Sequence, residues 1–271
     1  PGAGRLSQAH PIPRVSVIIP NWNGARLLPG CLDSLRLQTY RDFETVVVDN
    51  GSKDESVALM RERYPEVRVL ALPENRFFAG GVNAGIEATQ SPIVALLNND
   101  TEVDAGWVEH LVAALDAHPE AGFAASKMLL FDRRGVLHTA GDTYSRDGLP
   151  GNRGVWQEDH GQFDASTEVF SACGGGCAYR RTMLEEIGLL DEDLIAYCED
   201  IDLAWRAQLA GYKCVFAPQS RVYHPALVAP PAGAVGAGQV ARPVGGAAVV
   251  AADVGETPAG VLAPTRLRRV Y

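Results

Sequence analysis

Basic residues are in short supply in this 271-residue chain: Lys+Arg total 24 against Asp+Glu 33, a formal net charge of −9. General binding to nucleic acid or to an anionic membrane relies on surplus Lys and Arg to neutralise phosphates, so no nucleic-acid partner is expected. A specific nucleotide site remains compatible with this balance. Long apolar runs are also missing. The opening PGAGRLSQAHPIPRV lacks the apolar segment of a secretion signal, and no stretch offers about 18 strongly apolar residues for a membrane span. The expected compartment is therefore the cytoplasm. Cysteine is sparse and odd in number: Cys31, Cys173, Cys177, Cys198 and Cys214 point to reduced thiols rather than a disulfide framework. Two nucleotide motifs are absent as well. A dinucleotide fingerprint needs Gly-x-Gly-x-x-Gly straight after a first strand, and a P-loop ends in Gly-Lys-Ser/Thr. The dense run Gly80-Gly81-Val82-Asn83-Ala84-Gly85 has the wrong spacing and is followed by Ile86-Glu87. Dehydrogenase and ATPase readings fall together.

What is present divides at His224. Pro225 to Tyr271 hold 34 Ala, Gly, Pro or Val among 47 residues, with one aromatic and no Ile, Phe, Met or Trp. That is too little to bury a core, so 225–271 reads as an atypical tail, disordered or non-native. The 21 Arg against 3 Lys suggest a GC-rich gene, in which a frame change near residue 225 would yield such a composition. Residues 1–13 form an N-terminal extension, and 14–224 read as one coherent domain.

Within it, VSVII (15–19), FETVVV (43–48), VRVLAL (67–72) and IVALL (93–97) are continuous β-branched runs, as expected of strands buried on both faces of a parallel sheet. Leu27, Leu28, Cys31, Leu32 and Leu35 recur at helical spacing with Pro29 in the first turn. Ser52-Lys53-Asp54-Glu55 fits a capping box opening a helix to about Arg63. Asp104 is the expected N-cap of a helix to about Ala117, with Trp107, Leu111, Ala114 and Leu115 inward. Alternating strands and helices predict a doubly wound α/β layer. Residues 131–172 read as hairpins and loops, and helical patterns return near 180–187 and 200–210, before KCVFA (213–217) and SRVYH (220–224).

In an open α/β sheet, ligands bind outside the carboxyl ends of the strands. Those ends are consistently polar: Pro20-Asn21-Trp22-Asn23-Gly24, Asp49-Asn50-Gly51-Ser52, Glu74-Asn75 and Asn98-Asn99-Asp100. Each cluster alone is equally a set of turn formers; four in register point to one crevice. Asp49 at a strand tip can accept from the N3–H edge of a pyrimidine. Asp100 suits a hard divalent cation, which is usually held by one or two carboxylates plus substrate phosphates.

VSVIIPNWNG, VVVDNGSKDES, NRFFAGGVNAGI, VALLNNDTEV and YCEDIDLAWRAQLAGY, in this order, resemble family 2 glycosyltransferases of the GT-A fold, in particular the rhamnosyltransferase-like subgroup. The resemblance covers about residues 14–224, with 14–120 as the nucleotide-sugar half and 121–224 as the acceptor half. It implies that Pro20, Asn21, Asn23, Asp49 and Ser52 hold base and ribose. Asn75, Gly81 and Asn83 would lie along the nucleotide sugar, with Asn99 and Asp100 close to it. Asn98-Asn99-Asp100 stands in the place of the family's DxD element, so Asp100 matches the metal-binding aspartate, while Asn98 leaves one carboxylate fewer. His224 matches a late histidine that adds a metal ligand in many GT-A enzymes; a structural histidine is the alternative. The implied cofactor is Mg2+ or Mn2+. The implied donor is a UDP- or dTDP-sugar and the acceptor a glycan or lipid-linked glycan; the latter would bring peripheral contact with the inner face of the membrane.

Glu199 and Asp200 match the Glu-Asp element of inverting members: Asp200 is read as the base that deprotonates the acceptor hydroxyl, and Glu199 as contacting the acceptor or substituting for it. Helix-terminal charge is the alternative for this cluster. Asp202 and Arg206, four apart, read as a structural ion pair. Gly174–Gly176 read as a flexible turn facing the acceptor, a four-thiolate zinc site being the weaker reading. His10, His110, His118, His138 and His160 read as surface or locally satisfied groups. The chain is thus expected to be an inverting hexosyltransferase of cell-surface polysaccharide or glycan synthesis. The rival is a non-catalytic nucleotide-sugar binder or an inactive truncated enzyme. A sugar-1-phosphate nucleotidyltransferase would need a basic glycine-rich loop after strand one, which Asn21-Trp22-Asn23-Gly24 does not provide.

Overall fold

The structure is a computed structural model describing residues 11–195 and 197–225; the expectations for His10, for most of the N-terminal extension and for the tail beyond Pro225 lie outside the described residues. Strands β1 (Val15–Asn21), β2 (Phe43–Asp49), β3 (Arg68–Ala71) and β4 (Ile93–Leu97) lie parallel in the order β3-β2-β1-β4. They are joined by α1 (Leu28–Arg36), α2 (Ser56–Arg63) and α3 (Phe77–Glu87). Successive strand side chains point to opposite faces. Val15, Val17, Ile19 and Val47 pack with Leu28 and Leu32 of α1, while Ile18, Val46 and Val48 pack with Ala79 and Val82 of α3. Cover on both faces is why these runs are continuously apolar rather than alternating. β3 departs from that expectation because it is the sheet edge, and its residues are half-buried or exposed.

One helix is added and two local expectations are corrected. The helix at Phe77–Glu87 is unannounced by the sequence, since three glycines weaken helix propensity. Gly85 is there because a Cβ would lie 2.4 Å from Ile18 Cγ2 and 2.8 Å from Val48 Cγ2, so its absence lets the helix lie directly on the sheet. The capping box does not form: α2 begins at Ser56, whose N–H and hydroxyl both donate to Asp54 Oδ1. Asp104 does not cap α4 (Trp107–Ala117) through its side chain. The Val108 N–H donates instead to Gln38 Oε1, at 3.0 Å.

Beyond β4 follow β5 (Glu102–Val103), α4 and β6 (Ala121–Leu130). The 131–172 region contains the short strands β7 (Arg133–Thr139), β8 (Asp142–Tyr144), β9 (Pro150–Asn152) and β10 (Glu168–Val169), with β8 and β9 paired as a separate hairpin. Then come β11 (Gly176–Arg180), α5 (Arg181–Ile187), α6 (Glu199–Leu209) and β12 (Lys213–His224). The main sheet continues from β4 through β11, β6 and β12 to β10. β11 is antiparallel to both its neighbours, and β12 is parallel to β6. The two runs KCVFA and SRVYH are one strand, interrupted by a register shift between Ala217 and Arg221. Lys127 on β6, 1% exposed, is held by Asp159 at 3.0 Å and Asp164 at 2.6 Å, which ties the long loop after β9 to the sheet.

Candidate active site

The carboxyl ends of β1, β2 and β4 converge through their own side chains. Asn21 Nδ2 donates to Asp49 Oδ1 at 3.2 Å, and Asn99 Nδ2 donates to Asn21 Oδ1 at 2.8 Å. Gly24 allows this approach, because a Cβ there would fall 2.2 Å from Asn21 Oδ1 and 2.4 Å from Asn99 Nδ2. The two strand-end loops clasp each other: the Asn23 N–H donates to Ser52 Oγ, and the Lys53 N–H donates to Asn23 Oδ1. Asp49 is 3% exposed and accepts one amide and one backbone N–H, both at 3.2 Å, so its four lone-pair sites are not filled by protein. Pro20 is half-buried on β1, close to where a Cβ on Gly81 would lie.

The start of α3 is organised by Asn50, a buried member of the polar cluster at the β2 end to which the sequence assigned no role of its own. Its amide donates to the Phe77 carbonyl at 2.7 Å and accepts from the Arg76 N–H at 2.8 Å. Asn75 Oδ1 accepts the Phe77 N–H, and Gly81 sits where a Cβ would lie 3.0 Å from Asn50 Nδ2. Phe77 itself has φ 57°, a conformation rare for a bulky side chain. Asn83 is placed differently from the expectation. Its amide is taken up by the Leu190 carbonyl, the Leu190 N–H and Glu192, which also receives both oxygens' worth of contact from Arg76 at 3.0 Å. Asn83 therefore fastens the 190–192 loop to α3 rather than presenting a free amide to the crevice.

Asp100, Asn98 and His224 meet where β4 and β12 end. His224 Nε2 lies 3.1 Å from Asn98 Nδ2 and 3.6 Å from Asp100 Oδ1. The Pro225 carbonyl, 2.8 Å from His224 Nδ1, can only accept, so Nδ1 carries a proton. An Asn98 amide donating to Nε2 leaves that nitrogen as an acceptor. Asp100 Oδ1 is buried with no hydrogen-bond partner. The one Nε2 lone pair is taken by the Asn98 amide, so a cation held by Asp100 and His224 would replace that hydrogen bond and partner the orphaned Asp100 oxygen. A ligating histidine characteristically donates its other N–H to a carbonyl, as His224 does. Among the described residues no group of three His, Cys, Asp or Glu could hold a metal. The fit is thus to a cation with two protein donors and its remaining positions filled by substrate oxygens and water. His138 corrects the surface reading: it is 4% exposed, stacks on His224 with ring centroids 5.1 Å apart, and burial pushes its pKa down to about 3.

The third group lies at the start of α6. Asp200 accepts the Gly174 N–H at 3.0 Å and the Ile201 N–H at 2.8 Å. Burial nevertheless raises its pKa above the ordinary carboxylate value, with the backbone donors opposing. Glu199, 9% exposed with Oε2 unpartnered, is pushed to about 7 by burial and then by the charge of Asp200. Tyr197 and Cys198, at φ 70° and 69°, turn the chain sharply into the helix. Asp142 on β8 was not singled out by sequence; burial and the field of Asp200 raise it to about 8. Gly174–Gly176 are packed rather than free, since a Cβ on Gly175 would lie 3.1 Å from Asn98 Nδ2 and one on Gly176 2.7 Å from Val222 Cγ2. Asp202 and Arg206 form the expected ion pair at 2.8 Å. Arg206 also donates to the carbonyls of Ile187 and Leu189.

Comparison with known proteins identifies the family and the fold. A model of glycosyl transferase family 2 matches residues 16–188. The chain is 31% identical over 226 residues to the uncharacterised protein y4gI of Sinorhizobium fredii, covering 78% of this chain but only 24% of that protein. It is 28% identical over 216 residues to the N-acetylglucosaminyl-diphospho-decaprenol L-rhamnosyltransferase of Mycobacterium tuberculosis, covering 71% of this chain and 70% of that enzyme. Among solved structures, GalNAc-T7 with UDP, GalNAc and Mn2+ superposes with a TM-score of 0.66 at 20% identity, over 79% of this chain and 44% of that one. The fold is GT-A.

Proposed function

Since the chain belongs to glycosyl transferase family 2, we propose that it is an inverting transferase that moves a sugar from a nucleoside diphosphate to an acceptor hydroxyl. The observation that carries this reading is the set of amides and carboxylates at the tips of β1, β2 and β4, together with the Glu199-Asp200 pair at the start of α6, which is joined to the β4 end through Gly174 and Gly175. Asp49 would accept from the base, with Asn21, Asn23, Ser52 and Asn75 shaping the ribose side and Asn99 closing it. Asp100 and His224 would hold Mg2+ or Mn2+, which supplies charge neutralisation for the diphosphate when bound.

Asp200 is the group we assign to the acceptor. As the acceptor oxygen forms its bond to the anomeric carbon, the bond from that carbon to the diphosphate oxygen breaks and the hydroxyl proton passes to the Asp200 carboxylate. A base raised above the ordinary carboxylate range is a stronger proton acceptor at neutral pH. Two backbone N–H groups fix its orientation before the acceptor arrives. Rhamnosyl or other hexosyl transfer from a UDP- or dTDP-sugar to a lipid-linked or polymeric glycan is consistent with the relative named N-acetylglucosaminyl-diphospho-decaprenol L-rhamnosyltransferase. No helix among the described residues is long and apolar enough to cross a membrane; a lipid-linked acceptor would be met at the cytoplasmic face, by peripheral contact.

The test is release of free nucleoside diphosphate from a donor panel with glycan acceptors present. Asp200→Asn is expected to lower kcat about 100- to 10,000-fold, the range for a positioned base, with donor affinity retained. An Asp200→Asn protein with wild-type turnover removes Asp200 from this role. Donor binding without turnover in the wild type would favour the non-catalytic reading.

A further inference from the structure

We propose that the cleft between β8, β10 and α6 is a saccharide subsite, which holds a sugar unit of the acceptor beside the one whose hydroxyl reacts. This rests on the transferase reading above. The cleft has a volume of about 450 Å³ and is lined by, among others, Asp142, Tyr144, Arg153, Glu168, Phe170 and Gln208. That volume lies in the range of small-ligand sites.

The chemistry of the lining selects the ligand class. Two aromatic rings are interleaved with two carboxyls, a guanidinium and an amide. A pyranose matches such a wall, because its C–H faces lie on aromatic rings while its hydroxyls pair with planar polar groups. A phosphate would meet the Glu168 carboxylate. A lipid chain would bury polar groups without partners, which is costly.

The wall is also preorganised. Tyr144 and Phe170 lie 5.2 Å apart, and Trp205 packs nearly edge-on to them at interplanar angles of 86° and 69°. Gln208 Nε2 is fixed on the Phe170 carbonyl at 3.0 Å, which leaves its amide oxygen as an acceptor. Asp142 Oδ1 accepts from Thr139 Oγ1 at 2.8 Å and from Asn152 Nδ2 at 3.2 Å. Burial raises the pKa of Asp142 to about 8, which favours the protonated carboxyl near neutral pH, a form that both donates and accepts, as a hydroxyl partner requires.

Position links the cleft to the reaction. Asp142 lies within the field of Asp200, and α6 carries Asp200 in its first turn and Gln208 in its last. At a rise of about 1.5 Å per residue, these two positions are roughly 12 Å apart along the helix. An acceptor glycan lying along α6 would therefore reach both.

Saturation-transfer NMR on the full chain, with methyl glycosides of rhamnose, mannose, glucose, galactose and N-acetylglucosamine as probes, tests the proposal. Tyr144→Leu and Gln208→Ala are compared with wild type, and UDP and dTDP binding is measured in parallel by calorimetry. The expected result is transfer to at least one glycoside, weakened about fivefold in each variant by loss of one contact, with nucleotide affinity unchanged. Gln208→Ala trims a helix residue at a half-buried position, so it tests the cleft even where Tyr144→Leu loosens the hairpin. Glycosides that bind insensitively to both variants, or not at all, while nucleotide binds normally, overturn the subsite and leave the transferase reading intact. A wild-type chain that binds neither nucleotide refutes transfer from a UDP- or dTDP-sugar and the acceptor role that rests on it.

Discussion

One substitution, glycine to alanine, should have opposite signs in two helices of this protein. Gly30 lies in α1 and Gly85 in α3. In either helix the added methyl reduces the freedom of the unfolded chain and improves helix propensity, a gain of about 0.4–1 kcal/mol. At Gly30 the methyl would meet only Glu102 Oε1 at 3.4 Å and Cγ at 3.8 Å, the far end of a flexible side chain. At Gly85 it would stand 2.4 Å from Ile18 Cγ2 and 2.8 Å from Val48 Cγ2. Carbon atoms rest about 3.5–4.0 Å apart, so helix and sheet would have to separate by roughly 1 Å. Both neighbours are fully buried and β-branched, with little rotamer freedom to yield. Overpacking of this kind costs about 1–3 kcal/mol, which exceeds the propensity gain. Gly85→Ala should therefore lose about 1–2 kcal/mol and Gly30→Ala should gain up to about 1 kcal/mol. Urea unfolding of both variants, with unchanged m-values, reads the difference. If both midpoints move the same way, close approach does not explain the glycines of α3.

Two further outcomes follow from buried charge. Glu199 has its folded pKa raised from 4.5 to about 7, so the folded chain binds the extra proton across that window. Its stabilising contribution is complete below about 4.5 and is lost as pH rises through about 7. Glu199→Gln should flatten that decline between pH 5 and pH 8, and identical urea midpoints for both proteins at each pH would refute it. Lys127→Met would leave Asp159 and Asp164 facing each other without their shared cation. With Asp164 about one-third exposed, the expected loss is about 2–4 kcal/mol, below the full figure for a buried pair; a thermal melt within about 2 °C of wild type would contradict it.

The parallel half of the fold was legible in sequence because burial on both faces forces uninterrupted β-branched runs at 15–19, 43–48 and 93–97. Their polar ends were legible for the same reason: Asn21, Asp49 and Asn99 follow the last apolar residue of each strand and meet in space. What escaped detection depended on partners distant in sequence. Three glycines in α3 look like a loop until Ile18 and Val48 are placed beneath Gly85, and Asn50 beside Gly81. Ser52 looks like a helix cap until its hydroxyl is found accepting the Asn23 N–H. β12 reads as two strands because Pro218 and Gln219 fall in its register shift. His138 and Asp142 carry no local signal at all. Their significance comes from His224 and Asp200, more than fifty residues further along the chain.

The acidity of the chain bears directly on how an anionic donor could be held. The protein partners of Asn21, Asp49, Asn98 and Asn99 are amides, a hydroxyl, a carboxylate, backbone groups and an imidazole. Arg76, near the start of α3, is paired with Glu192. Among these partners a diphosphate entering beside Asp100 would thus meet a carboxylate and no cation. At about 5 Å and an effective dielectric near 20, one such repulsion is worth roughly 3 kcal/mol. A divalent cation on Asp100 and His224 would reverse its sign, which predicts a crossover. In the presence of Mn2+, Asp100→Asn should bind UDP or dTDP more weakly than wild type. In excess chelator the order should invert, because the variant has lost the repulsion while the wild type keeps it. Calorimetric titration under the two conditions measures both arms. An Asp100→Asn protein that is weaker in both, by the same factor, would show that Asp100 acts on the donor without a cation between them.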